Sequence, residues 1–491
     1  MANCIILAGG TWVPDYTSKI QRGLGPYRIA TALETAGYTV QVIDFVIHLT
    51  TEEIIQAISK HLGPDTLWVG FSSTFFWNTN QVNPEQSWLD RMYWTDYSNV
   101  KPIIDYIKQT SSARLVYGGA KTPFLVGTDK NIDHYVVGYA DTAIVELTQS
   151  IERKQPAELV IDSTVYPAPK MDSLTTCWHT ILPGEGLPIE LARGCIFKCK
   201  FCSYPLLGKK KGTYLIDTNL VRDQLLANYE QHGTTRYYIT DDTFNDDNDK
   251  IEALHRVFTD LPFKIQFSCY LRLDLLHKHP HQADLLSDMG LIGTYFGIES
   301  LLPESARAIG KGLHPNKVKD RLYWLQERWH QQVNVAAGFI LGLPYDTTEY
   351  FDSLINWCME ADNPLQHISF YALMFYNKQI NDDAREDRLR PYYSEFTLHP
   401  EIYGYEFDKD SIMSWSLPSQ HLSYDKCLSI ADYYNGLVAD RNKISDFQLI
   451  SHLNIGIPLA DMYELTQQEI NRRYDINQLN QQRLIDYKQL L

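Results

Sequence analysis

Two long stretches of the chain repeat one pattern: a short apolar run ending in glycine or a small polar residue, a helix-like stretch, then another apolar run. In the first stretch CIILAGG reads as a strand, GPYRIATALETAGY carries apolar residues at helical spacing and stops at Gly37, and VQVIDF is the next strand. TEEIIQAISKHL, TLWVGFSS, VKPIIDYIKQT, RLVYGG and HYVVGYA continue the alternation. Strands separated by single helices pair in parallel, and ligands on such α/β sheets bind beyond the carboxyl ends of the strands. Here those ends are Ala8-Gly9-Gly10, Phe71-Ser72-Ser73, Gly118-Gly119 and Gly138-Tyr139. The second stretch has strands PIELARG, RYYITDD, IQFSCYLR, GTYFGIES, VNVAAGFILGLP and HISFYAL. Six strand–helix repeats predict an incomplete (β/α)6 TIM-like barrel, with its chemistry at the carboxyl ends of the strands.

At 491 residues the chain is too long for one ordinary core. The pattern predicts a Rossmann-like domain over 1–155, a Pro- and Thr-rich linker over 156–184, the partial barrel over 185–380 and a mostly helical C-terminal cap or substrate domain over 381–491. An aromatic-rich insertion, residues 75–99, follows the third strand; a packed surface lobe and a ligand-contacting segment are both open readings of it. The formal charge of −16 argues against a general grip on nucleic-acid backbone. MANCIILAGG has no basic n-region, and no apolar run approaches the length of a membrane span, so a cytoplasmic location without membrane contact is expected.

Eight cysteines are present, and three of them, Cys195, Cys199 and Cys202, fall within GCIFKCKFCSY, the loop after the first strand of the second stretch. Clustered cysteines in such a protein read as metal ligands or catalytic thiols before disulfides. Zinc sites pair two CxxC knuckles, and no second pair exists here. Three thiolates on a 4Fe–4S cluster leave one iron open for a substrate or cofactor. Phe201, one residue before the last cysteine, is placed to cover an edge of the reacting site.

CxxxCxΦC resembles the signature of the radical S-adenosylmethionine (SAM) enzymes, and Leu-Ala-Arg-Gly precedes it. YYITDDTFN (237–245), FSCYLRLD (267–274), YFGIES (295–300), IGKG (309–312) and GFILGLPYDT (338–347) resemble later strands of that superfamily, in its order. Tyr345 and Asp346 stand where the family has Gly and Glu. The resemblance implies a 4Fe–4S cluster on the three cysteines, with SAM chelating the open iron and one electron releasing a 5′-deoxyadenosyl radical. It implies Asp241 and Asp242 for the methionine ammonium, Arg272 for the methionine carboxylate, Glu299 for ammonium or ribose hydroxyls, and Gly342 and Pro344 near adenine.

The first domain resembles the cobalamin-binding domain of one large subgroup, in GPYRIATALETAGYTVQVIDF, VGFSST, VYGGAKT and DHYVVGYADTAIVEL. That resemblance implies cobalamin along Gly9, Gly10, Ser72, Ser73, Gly118, Gly119 and Gly138. No DxHxxG is present, so no histidine replaces the lower axial ligand. With cobalamin, methyl transfer to a small molecule or peptide leads. Without it, epimerisation or cyclisation stays open, with Cys177 or Cys269 as hydrogen-atom donor, and so does a non-catalytic iron–sulfur protein. An acidic flavodoxin or ferredoxin is the implied reductant, with Lys209-Lys210-Lys211 a candidate dock. Arg385, Arg388, Arg390, Trp415 and His421 are candidate substrate contacts, and WSLPSQHLSYDKC resembles a C-terminal lobe that covers the barrel mouth.

Overall fold

A computed structural model describes residues 1–9, 20–73, 76, 97–119, 122–163, 175, 178–203, 216–330, 332–375, 377, 393–407 and 414–491. Gly10, most of the aromatic insertion, Cys177, Lys209-Lys210-Lys211, Arg385, Arg388 and Arg390 lie outside these residues. The chain forms two compact units, residues 1–188 with 476–491, and residues 189–475. No helix among the described residues is long and apolar enough to cross a membrane.

The first unit is built on a parallel sheet of β1 (Cys4–Leu7), β2 (Val40–Ile43), β3 (Trp68–Ser72), β4 (Arg114–Gly118), β5 (His134–Val137) and β6 (Val160–Asp162), in the order β2-β1-β3-β4-β5-β6. The order reverses between β1 and β3, which makes a crevice at the carboxyl ends. The strands are almost wholly apolar because helices cover both faces. Helix Thr51–His61 starts at a capping box, in which Thr50 and Glu53 satisfy each other's backbone amides. β6, three half-buried residues, is too short to show a periodic signal in sequence.

The last helix, Ile476–Leu490, belongs to this unit rather than to the C-terminal cap expected over 381–491. Periodicity shows that a segment is helical but not which sheet it covers. Tyr487 Oη accepts from Asp44 N at 2.8 Å and donates to Asp44 O at 3.1 Å, and its ring meets Phe45 edge-on at 4.9 Å. Beside it Arg22 Nε donates to Glu185 Oε1 at 2.7 Å and Arg22 Nη2 to Thr180 O at 2.8 Å, while Arg483 Nη2 lies 2.7 Å from Glu185 Oε1. Tyr27 Oη donates to Asp44 Oδ2 at 2.7 Å. Burial pushes the Asp44 carboxyl up to about 6, against the pull of Arg22 and Tyr27.

The second unit is a sheet of β7 (Leu187–Ile189), β8 (Arg236–Ile239), β9 (Gln266–Leu271), β10 (Leu291–Glu299), β11 (Asn334–Leu341) and β12 (His367–Ala372), in the order β12-β11-β10-β9-β8-β7, parallel at every pair from β8 to β12. This is the expected partial barrel. Tyr238, Tyr270 and Tyr295, on successive strands, meet edge to face at 6.3 and 5.4 Å. Gly338 on β11 is required there, since a Cβ would stand 1.7 Å from Tyr295 Oη. The outer edge of β12 is closed by side chains. Asn435 Oδ1 accepts from Phe370 N and its Nδ2 donates to Phe370 O, both at 2.9 Å. Asn442 does the same for Ile368, at 3.0 and 2.9 Å. Two amides thus replace a neighbouring strand, so the edge offers no free ladder at these residues.

Helix Asp446–Asn454 packs against β8, β9 and β10, with Phe447 edge-on to Tyr238 at 5.4 Å. The C-terminal region also holds a small antiparallel sheet that periodicity did not show: β13 (Glu406–Phe407), β14 (Trp415–Leu417) and β15 (Leu422–Ser423).

Substituting Arg22→Met strips Glu185 and Asp44 of their cation inside the first unit. We expect a loss of about 3–5 kcal/mol, the cost of breaking one side of a buried pair. Urea unfolding followed by tryptophan fluorescence measures it, and a loss under about 1 kcal/mol would show that Arg483 alone neutralises the site.

Candidate active site at the carboxyl ends of the second sheet

The cysteine loop leaves β7 through Arg193 and Gly194 and is fixed at its root by β8. Asp241 Oδ1 accepts from Leu191 N and Ala192 N at 2.8 and 2.9 Å, and Asp241 Oδ2 accepts from Lys250 Nζ at 2.9 Å. Lys250 also reaches Asp246 at 3.2 Å. Arg193 folds back on Glu190 with two 2.8 Å bonds. Further along, Cys202 N donates to Cys199 O at 3.0 Å, Lys200 N to Ile309 O at 3.1 Å, and Phe396 N to Lys200 O at 3.3 Å. The loop is therefore held at its root and on its outer turn before any ligand is considered.

Asp241 is thus fully engaged within the protein. Both its oxygens are occupied, and it is 1 % exposed. Burial pushes it up, against Lys250 and the two amides. It is a clasp for the loop. Asp242, next to it, is half-buried; burial together with Asp241 and Glu190 pushes its carboxyl up to about 6. Lys250 and the Gly194 amide pull it the other way.

Of the three cysteines of the loop, Cys195 is buried and Cys199 and Cys202 are partly exposed. Among the described residues no three His, Cys, Asp or Glu side chains converge on one point that would hold a single metal ion. A 4Fe–4S cluster asks for something else, one thiolate for each of several irons. The surroundings suit such a cluster. Cys195 Sγ lies 3.4 Å from Thr243 Oγ1, and Arg272 Nη1 donates to Cys199 Sγ at 3.4 Å. Burial pushes the Cys195 thiol up, Thr243 opposing it. Phe201 is partly exposed within the loop.

Arg272 follows β9. Its backbone is gripped by Asn245, which accepts from Arg272 N at 2.8 Å and donates to Arg272 O at 3.1 Å. Asp274 takes Nε and Nη2 at 3.0 and 2.6 Å, and the Phe197 ring lies under the guanidinium at 3.7 Å. Asp274 is held low by that pair although burial opposes it. Arg272 thus has a partner on each side, Cys199 and Asp274. Asp274 and Phe197 were missed in sequence. The Arg-x-Asp spacing of LRLD was the only signal for the first.

Glu299 ends β10 with a left-handed backbone, φ +68, where the register with β11 shifts. A non-glycine residue in that region costs on the order of 1–3 kcal/mol and needs surrounding structure to hold it. Lys311 of IGKG supplies part of that support, donating to Gly297 O at 2.6 Å and lying 3.5 Å from Glu299 Oε1. Burial pushes Glu299 up, Lys311 opposing. Glu299 and Arg272 form no ion pair; each has its own partner.

The turn after β11 holds the two residues that depart from the family pattern. Gly342 has φ +95, and a Cβ there would sit 2.3 Å from the Trp415 ring. Tyr345, in the glycine place of the pattern, also has positive φ, +72, and is exposed. Asp346, in the glutamate place, accepts from Gly342 N and Leu343 N at 3.0 Å each. Ser305 Oγ lies 2.7 Å from Pro344 O and 2.8 Å from Asp346 Oδ1. A hydroxyl has one proton, so when it goes to Pro344 the Asp346 carboxyl must bring its own. Burial pushes Asp346 up to about 7, consistent with that arrangement. Gly342 and Pro344 are therefore fixed by this hydrogen-bonded turn. Trp415 is buried against Gly342, and His421 is exposed in the β14–β15 turn. Cys269, the other radical-relay candidate, is fully buried, with burial raising its thiol well above the usual range.

In the first unit Gly9, Ser72, Ser73, Gly118, Gly119 and Gly138 all lie at the carboxyl edge of the sheet. Gly9 is used for packing: Asp44 Oδ1 occupies the place of its missing side chain. Ser73 is bonded to Thr122 Oγ1 at 2.9 Å. Gly118 faces open space, whereas at Gly119 Ser73 Oγ would stand 3.1 Å from a Cβ. At the end of β4, then, Gly118 has room around it, and Gly119 stands close to Ser73.

Residues 189–358 match the Radical SAM superfamily, so the second unit carries a domain of that superfamily. The chain is 24% identical over 216 residues to an uncharacterised methyltransferase of Pyrococcus horikoshii, covering 43% of this chain and 45% of that one. It is 22% identical over 282 residues to the hopanoid C-2 methylase of Rhodopseudomonas palustris, covering 53% and 52%. It thus spans about half the length of the curated relatives it matches. Among solved structures, TsrM of Kitasatospora setae, a radical SAM methyltransferase with cobalamin and a [4Fe-4S] cluster bound, aligns with a TM-score of 0.66 and 15% identity over 96% of this chain and 99% of that one. The fold of both units is therefore shared with that protein.

The Asp346 arrangement gives a signed pH dependence. Its carboxyl titrates higher folded than unfolded, so its contribution to stability is complete below about pH 4 and is lost as pH rises through about 7. Asp346→Asn keeps the pattern, its Nδ2 donating to Ser305. Wild-type Tm should fall relative to D346N between pH 5 and 8, and D346A should be lower throughout. Parallel curves for wild type and D346N would place the proton elsewhere.

Proposed function

We propose that the protein is a cobalamin-dependent radical SAM methyltransferase acting on a small molecule or a peptide. The observation that carries this reading is the presence in one chain of a Rossmann-like unit and a radical SAM barrel, in a fold shared almost end to end with TsrM. When bound, the cluster and SAM supply a carbon radical by one-electron cleavage, and cobalamin supplies a transferable methyl group.

The chain's own residues do the positioning. Cys195, Cys199 and Cys202 hold the cluster on a loop clasped by Asp241 and Lys250. Asp242 takes the methionine ammonium in a charge-assisted bond. Glu299 offers its carboxylate to ammonium or ribose hydroxyls, steadied by Lys311. Gly342 and Pro344, fixed by Asp346 and Ser305, shape the adenine side. Ser72, Gly118, Gly119 and Gly138 form the rim for cobalamin. An acidic flavodoxin or ferredoxin is the electron donor. Among the described residues no observation favours epimerisation or cyclisation, since Cys269 is sealed from solvent.

Anaerobic reconstitution with iron, sulfide and hydroxocobalamin, followed by desalting, tests the reading. The expected result is one 4Fe–4S cluster and one cobalamin per chain, seen in the visible spectrum. Loss of cobalamin on desalting would sink methyl transfer from cobalamin. The triple variant Cys195→Ala, Cys199→Ala, Cys202→Ala should show no cluster, and a full cluster signal would overturn the ligand set. Asp242→Asn should keep the cluster and weaken SAM binding roughly tenfold or more, a charged hydrogen bond being worth about 1.5–3 kcal/mol. Unchanged affinity by calorimetry would remove that role.

A further inference from the structure

Arg272 touches the cysteine loop through Cys199 and is held on its other side by Asp274. We propose that it sets the electron affinity of the cluster, by donating a hydrogen bond to the Cys199 thiolate, and that it is not a ligand of SAM. The inference rests on the reading that Cys195, Cys199 and Cys202 hold a 4Fe–4S cluster.

Three features fix the guanidinium. Its Nη1 donates to Cys199 Sγ at 3.4 Å. Asp274 takes Nε and Nη2 at 3.0 and 2.6 Å. Phe197 lies flat beneath it at 3.7 Å, and Asn245 grips its backbone from both sides. The side chain is 9 % exposed. Swinging it towards a substrate carboxylate would break the bidentate Asp274 pair and the ring contact together. Thr243 Oγ1 lies 3.4 Å from Cys195 Sγ but donates its one proton to Asp242 O at 2.8 Å, which leaves Arg272 as the charged donor.

Reducing the cluster adds one negative charge. A donor held on a ligand sulfur stabilises that extra charge and raises the midpoint potential. Asp274 works against it, because its carboxylate screens part of the guanidinium charge. The two residues therefore tune in opposite directions. Arg272 is a positioning and tuning residue that acts through Cys199.

Opposite signs make the test selective. Arg272→Gln, Arg272→Lys and Asp274→Asn are reconstituted without substrate, and the midpoint is read by anaerobic redox titration with electron paramagnetic resonance of the reduced cluster. R272Q should shift the midpoint to a more negative potential, R272K should fall between it and wild type, and D274N should shift it to a more positive one. SAM affinity of R272Q, read by calorimetry, should stay within about twofold, which is under 0.5 kcal/mol. An unchanged midpoint in R272Q with the cluster intact overturns the proposal, and so does a loss of SAM affinity without a potential shift. If R272Q fails to hold a cluster, D274N decides: an upward shift supports the proposal and no shift overturns it. Failure of the unsubstituted protein to assemble a cluster would instead refute the cluster reading itself.

Discussion

The candidate site depends on one buried carboxylate. Asp241 bridges the start of the cysteine loop and the end of β8, accepting two backbone amides with one oxygen and Lys250 with the other. A loop carrying three thiols has few apolar side chains with which to anchor itself, so its geometry must come from hydrogen bonds to something rigid. A strand end is rigid, and a carboxylate has enough acceptor capacity to serve two amides and an ammonium at once. Such an arrangement contributes little net stability, because desolvating both charges offsets most of the attraction. Its effect is on conformation: it fixes where the loop begins, and hence where Cys195 stands beside Thr243.

The same division of labour recurs at the other strand ends. Each carries a residue singled out by its motif and a neighbour that holds it. Asn245 holds Arg272, Lys311 supports Glu299, and Asp346 with Ser305 holds Gly342 and Pro344. Sequence motifs record both kinds of residue without distinguishing them. TDD looks like two equivalent acids, yet one is sealed at 1 % exposure and the other is half-buried. Burial and partner geometry, absent from any one-dimensional pattern, separate the anchor from its more exposed neighbour.

Much of the architecture was legible because parallel sheets produce unmistakable strings. Strands buried on both faces read as continuous apolar runs, and CIIL, WVGFS, QFSCYL and NVAAGFIL all became strands. The three cysteines were legible from spacing alone. What stayed hidden had weak local signals. β6 and the three strands of the small sheet are two or three residues long. Asp274, Phe197 and Thr243 gain meaning only from contacts made across the fold. The capping box of Ser445 and Gln448, ahead of the helix at Asp446, was a signal present in the sequence and left unread.

The position of the last helix also shapes how the protein can be made. Asp44 is bonded to Tyr487 across 443 residues of chain, and residues 189–475 form an independent unit between them. During synthesis the first sheet leaves the ribosome long before its closing helix exists. At about 5–20 residues per second the delay is on the order of 15–60 seconds. Throughout that interval Glu185 lacks Arg483, and Asp44 lacks the tyrosine that covers it. The nascent first unit therefore waits with Arg22 holding both carboxylates and its surface incompletely closed. Its final closure reports that the whole intervening chain has been translated.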